Sequence, residues 1–139
     1  MKGLYTLVIH IPKDMVIKIG SLGNIKLSKG YYAYIGSGGA SILKRVGRHF
    51  MQEKRVKWHI DYVTVVVKPL KAYILIDPPM DESSLAEYLG GYFRHIHGFG
   101  ASDSRYVSHF FYLGSQEDVT RSLRSLLESR GCRVLEYFG

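Results

Sequence analysis

Apolar residues along this chain alternate with two periods, one near two and one near 3.6. Residues 4–11 are rich in β-branched and aromatic types and predict a strand, closed by a turn at 12–14. Partial alternation over 15–19, with Lys18 between Ile17 and Ile19, predicts a second strand, and residues 20–24 a second turn. Residues 25–27 begin a short third strand that stops at Ser28-Lys29-Gly30, and residues 31–35 make a fourth. The tight connections over these first 36 residues predict a β-meander with antiparallel pairing.

A loop of small residues at 36–41 follows, and Ser41 is placed to cap the helix after it. Ile42, Leu43, Val46 and Phe50 give that helix one apolar face. Residues 58–67 read two ways: their early part suits a short helix, and their run of valines favours a strand. Residues 71–76 predict a buried strand ended by Asp77-Pro78-Pro79, and 81–94 a helix with Leu85, Leu89 and Phe93 on one face. A loop at 98–104, a strand at 109–113, a helix at 118–130 stopped by Gly131 and a strand at 132–138 complete the chain. In the last helix Val119, Leu123, Leu126 and Leu127 face inward. No repeat, low-complexity stretch or linker divides the sequence, so residues 1–139 read as one domain. The fold class is α/β of the α+β kind, a mostly antiparallel sheet flanked by helices.

Composition adds the partner. Lysine and arginine total 19 against 12 acids, giving a net charge of +7 and favouring a polyanion, nucleic acid first and an anionic membrane surface second. The 46% apolar content excludes a chain disordered throughout. One cysteine, Cys132, excludes an intrachain disulfide and a cysteine-based zinc site, and fits a reducing cytoplasm. No apolar run is long enough to cross a bilayer, and the start lacks a secretory pattern, so a cytoplasmic protein is expected.

The first chemical candidate is Tyr34-Ile35-Gly36 followed by Leu43-Lys44-Arg45-Val46. A strand ends in a tyrosine, turns through glycines and enters a helix. Glycine lets backbone approach a ligand, a helix start offers free N–H groups to phosphate, and an arginine inside the helix adds a bidentate fork. The Gly-Lys-Ser/Thr of a Walker A loop is absent.

Gly3-Leu4-Tyr5 and Tyr34-Ile35-Gly36 resemble the paired signature of GIY-YIG nucleases, and Arg45-Val46-Gly47-Arg48-His49-Phe50 resembles the arginine helix of that superfamily. Over nearly its full length the chain resembles the DUF123 family, a GIY-YIG relative. Trp58-His59-Ile60-Asp61-Tyr62, the segment beginning at Glu82, Phe99-Gly100-Ala101-Ser102-Asp103 and Ser108-His109-Phe110-Phe111-Tyr112 carry that closer likeness. The resemblance implies a GIY-YIG-like fold and endonuclease chemistry on DNA, in repair, with one Mg2+ (or Mn2+) ion. Tyr5 and Tyr34 would be the tyrosines that help deprotonate water, Arg45 the phosphate-stabilising arginine and Glu82 the metal ligand, with Glu87 its rival. A hard cation and a guanidinium both favour a charge-rich transition state. Three features depart from the pattern. An extra hairpin separates the two tyrosines, no lysine follows the YIG, and Ser83, Ser104 and Tyr106 stand where relatives often have cysteines.

Gly36, Ser37, Lys44, Arg48, His49, Lys54, Arg55, Lys57 and His59 make up the expected nucleic-acid-binding surface. Asp61 and Asp103 are candidate supporting acids, and His59, His95, His97 and His109 are more readily hydrogen-bonding or phosphate-facing groups than a zinc site. Each has a plain alternative: tyrosines in strands pack, an arginine on a helix is solvated, and a glutamate near a helix start complements its dipole. Beside the nuclease stand two further readings, a nucleic-acid-binding module that has lost catalysis and an interaction domain whose charge is incidental.

Overall fold

The computed structural model describes residues 3–99 and 108–139. Within them eight strands and four helices form: β1 (Gly3–Ile11), β2 (Met15–Lys18), β3 (Asn24–Leu27), β4 (Gly30–Gly38), α1 (Ile42–His49), α2 (His59–Thr64), β5 (Lys71–Ile76), α3 (Glu82–Gly90), β6 (Arg94–His95), β7 (Phe110–Gly114), α4 (Val119–Ser129) and β8 (Arg133–Tyr137). Six strands make one antiparallel sheet in the order β6-β7-β4-β1-β5-β8. The expected α+β class is what the structure has.

β1 lies inside that sheet and is buried on both faces. Tyr5, Leu7, Ile9 and Ile11 enter one core with Ile42 and Val46 of α1 and Ile60 and Val63 of α2. Leu4 and Val8 enter the other, with Leu85 and Leu89 of α3 and Leu123 and Leu127 of α4. The period-two alternation of side chains along a strand is thus used twice. The result is three layers, with the sheet between α1–α2 and α3–α4.

The expected meander does not form. β1 pairs directly with β4, Gly3 opposite Gly38 and Ile11 opposite Gly30, while β2 and β3 pair only with each other. The hairpin inserted between the two tyrosine strands instead folds onto the first core through Ile17 and Leu27.

Other boundaries move for local reasons. β4 runs on through Gly36-Ser37-Gly38, expected to be loop, because those residues pair with Tyr5, Leu4 and Gly3. A Cβ on Gly36 would stand 2.2 Å from the Tyr5 ring, so only glycine lets the strand pass beneath it. Ser41 occupies the cap position of α1, but its side chain makes no capping hydrogen bond. Leu43 is 60% exposed rather than part of the apolar face. The valine-rich segment is helical over His59–Thr64, since the Asp61 carboxylate accepts from the backbone N–H groups of Trp58 and Lys57 and fixes the first turn. α3 ends at Gly90, and Arg94–His95 pairs with β7 instead of prolonging the helix. Among the described residues no helix is long and apolar enough to cross a membrane. Asp103, Ser104, Tyr106 and most of the expected 98–104 loop lie outside the described residues.

Candidate functional site

At the end of the sheet where β1 starts and β4 finishes, a cleft of about 530 Å³ opens. Gly3, Ser37, Gly38 and Gly39 line it from the strand ends, Arg45 from α1, and Asp81 and Glu82 from the start of α3. The two helices lie on opposite faces of the sheet, and the glycines leave room for Arg45 and Glu82 to share one space.

Ser37 joins those two residues. Its carbonyl accepts a hydrogen bond from Arg45 Nη1, and its side chain hydrogen-bonds the Glu82 carboxylate. On the far side, His109 Nδ1 lies 2.9 Å from Glu82 Oε2. Burial opposes ionisation of Glu82, but hydrogen bonds from His109 and Ser37 and the charge of Arg45 outweigh it, holding the carboxyl below its ordinary range. An ionised carboxylate only accepts, so His109 Nδ1 is the donor in this contact. Glu82 need not cap its helix, because the Asp81 side chain accepts from the backbone N–H of Ser84. Glu87, the rival ligand, is exposed on α3 and is not part of the cleft lining.

Tyr5 and Tyr34 are not among the residues that line the cleft. Tyr5 is 2% exposed and shares a 2.7 Å hydrogen bond with His49 Nε2. The Tyr34 ring meets the same imidazole edge-on at 6.1 Å. Burial raises the pKa of both phenols; the neighbouring Tyr34 hydroxyl adds to the effect on Tyr5 and the Glu82 charge to that on Tyr34, while Arg45 opposes it in each. His49, one turn after Arg45, is among the expected nucleic-acid-binding residues. Its exposure is 0%, so it contacts no phosphate; burial, reinforced by Lys54, pushes its pKa down to about 4 and keeps it neutral. No sequence signal beyond its one-turn offset from Arg45 marks this role.

The expected nucleic-acid residues divide. Arg48 is occupied, with Nη1 and Nη2 at 2.9 and 2.8 Å from the fully buried Asp61 and Nη2 also donating to the Arg55 carbonyl. Lys54 is occupied too, donating to the carbonyls of Arg48 and His49 and to Thr64 Oγ1, where it closes the C-terminal end of α1. Asp61, a candidate supporting acid, is the hub of this region. Burial opposes its ionisation, and the Arg48, Trp58 and Lys57 donors overcome that and lower its pKa. Lys44, Arg55 and Lys57 remain exposed, and His59 is half-buried against the Phe99 ring. The contact missed in the sequence is Trp58, whose ring lies 4.8 Å from the Arg45 guanidinium and 4.6 Å from that of Arg48.

Fold and cleft together define an α+β protein with a guanidinium and an ionised carboxylate facing each other at the end of its sheet. The model for the domain of unknown function DUF123 matches residues 4–132, and the chain belongs to that family. No curated protein and no solved structure matches the chain.

Proposed function

We propose that this protein is a GIY-YIG-type endonuclease that hydrolyses phosphodiester bonds in DNA with one divalent metal ion. The observation that carries the reading is the meeting of Arg45 and Glu82 in one cleft, close enough that both act electrostatically on Tyr5, which is hydrogen-bonded to His49. Arg45, fixed by Ser37 and Trp58, presents its guanidinium to a phosphate and favours the added negative charge of the transition state. Tyr5 and His49 act as a relay. The phenol takes a proton from the attacking water while its own proton passes to the neutral Nε2 of His49, so no free phenolate is required.

The donor chemistry suits a hard cation: Glu82 is ionised, and its side chain is 32% exposed toward the cleft. Glu82 would hold the ion, with His109 fixing the carboxylate from behind. Such an ion supplies charge neutralisation at the phosphate and leaving oxygens.

The burial of Tyr5 favours a second reading, a nucleic-acid-binding module on the same fold that no longer cuts. Labelled DNA and RNA, duplex, branched and single-stranded, separate the two when incubated with Mg2+ or Mn2+ and with EDTA. The nuclease reading expects metal-dependent cutting of DNA, reduced on the order of 10²–10³-fold in both Arg45→Ala and Glu82→Ala. Salt-sensitive binding without cutting, unaltered by Glu82→Ala, establishes the binding module instead.

A further inference from the structure

The charge of the chain is concentrated in one part of it. Residues 12–68 hold eleven lysines and arginines against three acids, a net charge of +8, while residues 69–139 hold seven against nine. The positive segment contains the β2–β3 hairpin, α1 and α2, which all pack on the same side of the main sheet. Arg48 and Lys54 spend their charge internally, as described above. The hairpin lysines do not.

Side chains alternate cleanly across the hairpin. Met15, Ile17, Ile25 and Leu27 turn inward onto the core. Val16, Lys18, Asn24 and Lys26 turn outward, and all four are exposed. Lys18 and Lys26 are diagonal neighbours on that outer face, about 7–8 Å apart by ladder geometry. No ion pair among the described residues includes either of them. The one acid in the hairpin region, Asp14, is turned to the backbone N–H of Lys29. The hairpin is also fixed in place: Gly20 packs against the Tyr62 ring of α2, and Leu22 packs against Gly98.

We propose that the outer face of the β2–β3 hairpin is a second nucleic-acid contact surface, on which Lys18 and Lys26 bind the phosphate backbone away from the cleft. The inference rests on the nucleic-acid reading above and adds to it the surface that holds the strand. Two unpaired ammonium groups on a rigid ribbon suit a backbone with regularly repeating charge, and they carry no base selectivity. A membrane is the poorer fit, because a lipid-binding face carries aromatic or aliphatic anchors beside its lysines, and here Val16 is the sole apolar side chain of the outer face.

The test is binding of a fluorescein-labelled DNA duplex by the full chain, followed by anisotropy across a KCl series in EDTA. Wild type, Lys18→Ala/Lys26→Ala, Lys18→Arg/Lys26→Arg and Arg45→Ala run in parallel, with melting curves to show that the exposed substitutions leave the fold intact. The expected result is a slope of log K against log [KCl] shallower by about 1.8 in the double alanine variant and kept in the double arginine variant. Arg45→Ala loses about one unit of slope independently. Wild-type binding with an unchanged slope in the double alanine variant overturns the hairpin surface and leaves the proposed function standing. Absence of wild-type binding to DNA, or binding to phosphatidylserine vesicles alone, overturns both.

Discussion

His49 couples protonation to folding. Its folded pKa is lowered from 6.5 to about 4, chiefly by burial. Between those values the unfolded chain binds a proton that the folded one refuses, so stability is full above pH 6.5 and drains away as pH falls toward 4. The loss by pH 4 is on the order of 3 kcal/mol. Urea midpoints measured from pH 7 to 4 should fall for the wild type and fall less steeply for His49→Gln, which carries no titrating ring. The proposed relay draws on the same value. A relay through neutral His49 should give kcat/KM an acid limb well below the 6.5 of a free imidazole, and a limb at 6.5 would remove His49 from the mechanism.

At the scale of elements, α2 shows how a side chain settles an ambiguous pattern. Its sequence reads both as a short helix and as a strand, and Asp61 decides between them: it collects two backbone N–H groups and the Arg48 fork and so sets a helix start that also positions Trp58 beside Arg45. Replacing Asp61 with alanine leaves Arg48 uncompensated and frees both N–H groups, and should cost about 3–5 kcal/mol in chemical denaturation. Most elements were legible from apolar spacing: β1, β2, β3, α1, β5, α3, β7, α4 and β8 appear where it puts them, within a few residues. The end of β4 fell short and the helix at α2 stayed one of two readings, because both depend on partners far along the chain, Gly36-Ser37-Gly38 on β1 and α2 on Arg48. The candidate site divides the same way. Arg45 and Glu82 were legible through motif likeness, whereas the burial of His49 and the stacking of Trp58 are tertiary facts with no pattern of their own.

For the molecule as a whole, the sheet divides two apolar cores that do not meet through it, one under α1 and α2 and one under α3 and α4. The cleft is where the two layers come together, at a strand end whose lining includes Gly3, Gly38 and Gly39. One layer contributes Arg45 and the other Glu82, and neither could assemble the pair alone. The register of β1 has a further consequence, in time rather than space. This strand needs β4 on one side and β5 on the other, and Gly3 meets Gly38 across one ladder and Ile76 across the other. Two large loops must close before the middle of the sheet exists, and each costs chain entropy before any contact repays it. Refolding followed by stopped-flow fluorescence of the single tryptophan, Trp58, should therefore run in milliseconds to seconds rather than microseconds. Until Ile76 docks, the outer edge of β1 is an unpaired apolar strand, and over that interval the chain is most exposed to pairing with a second copy of itself.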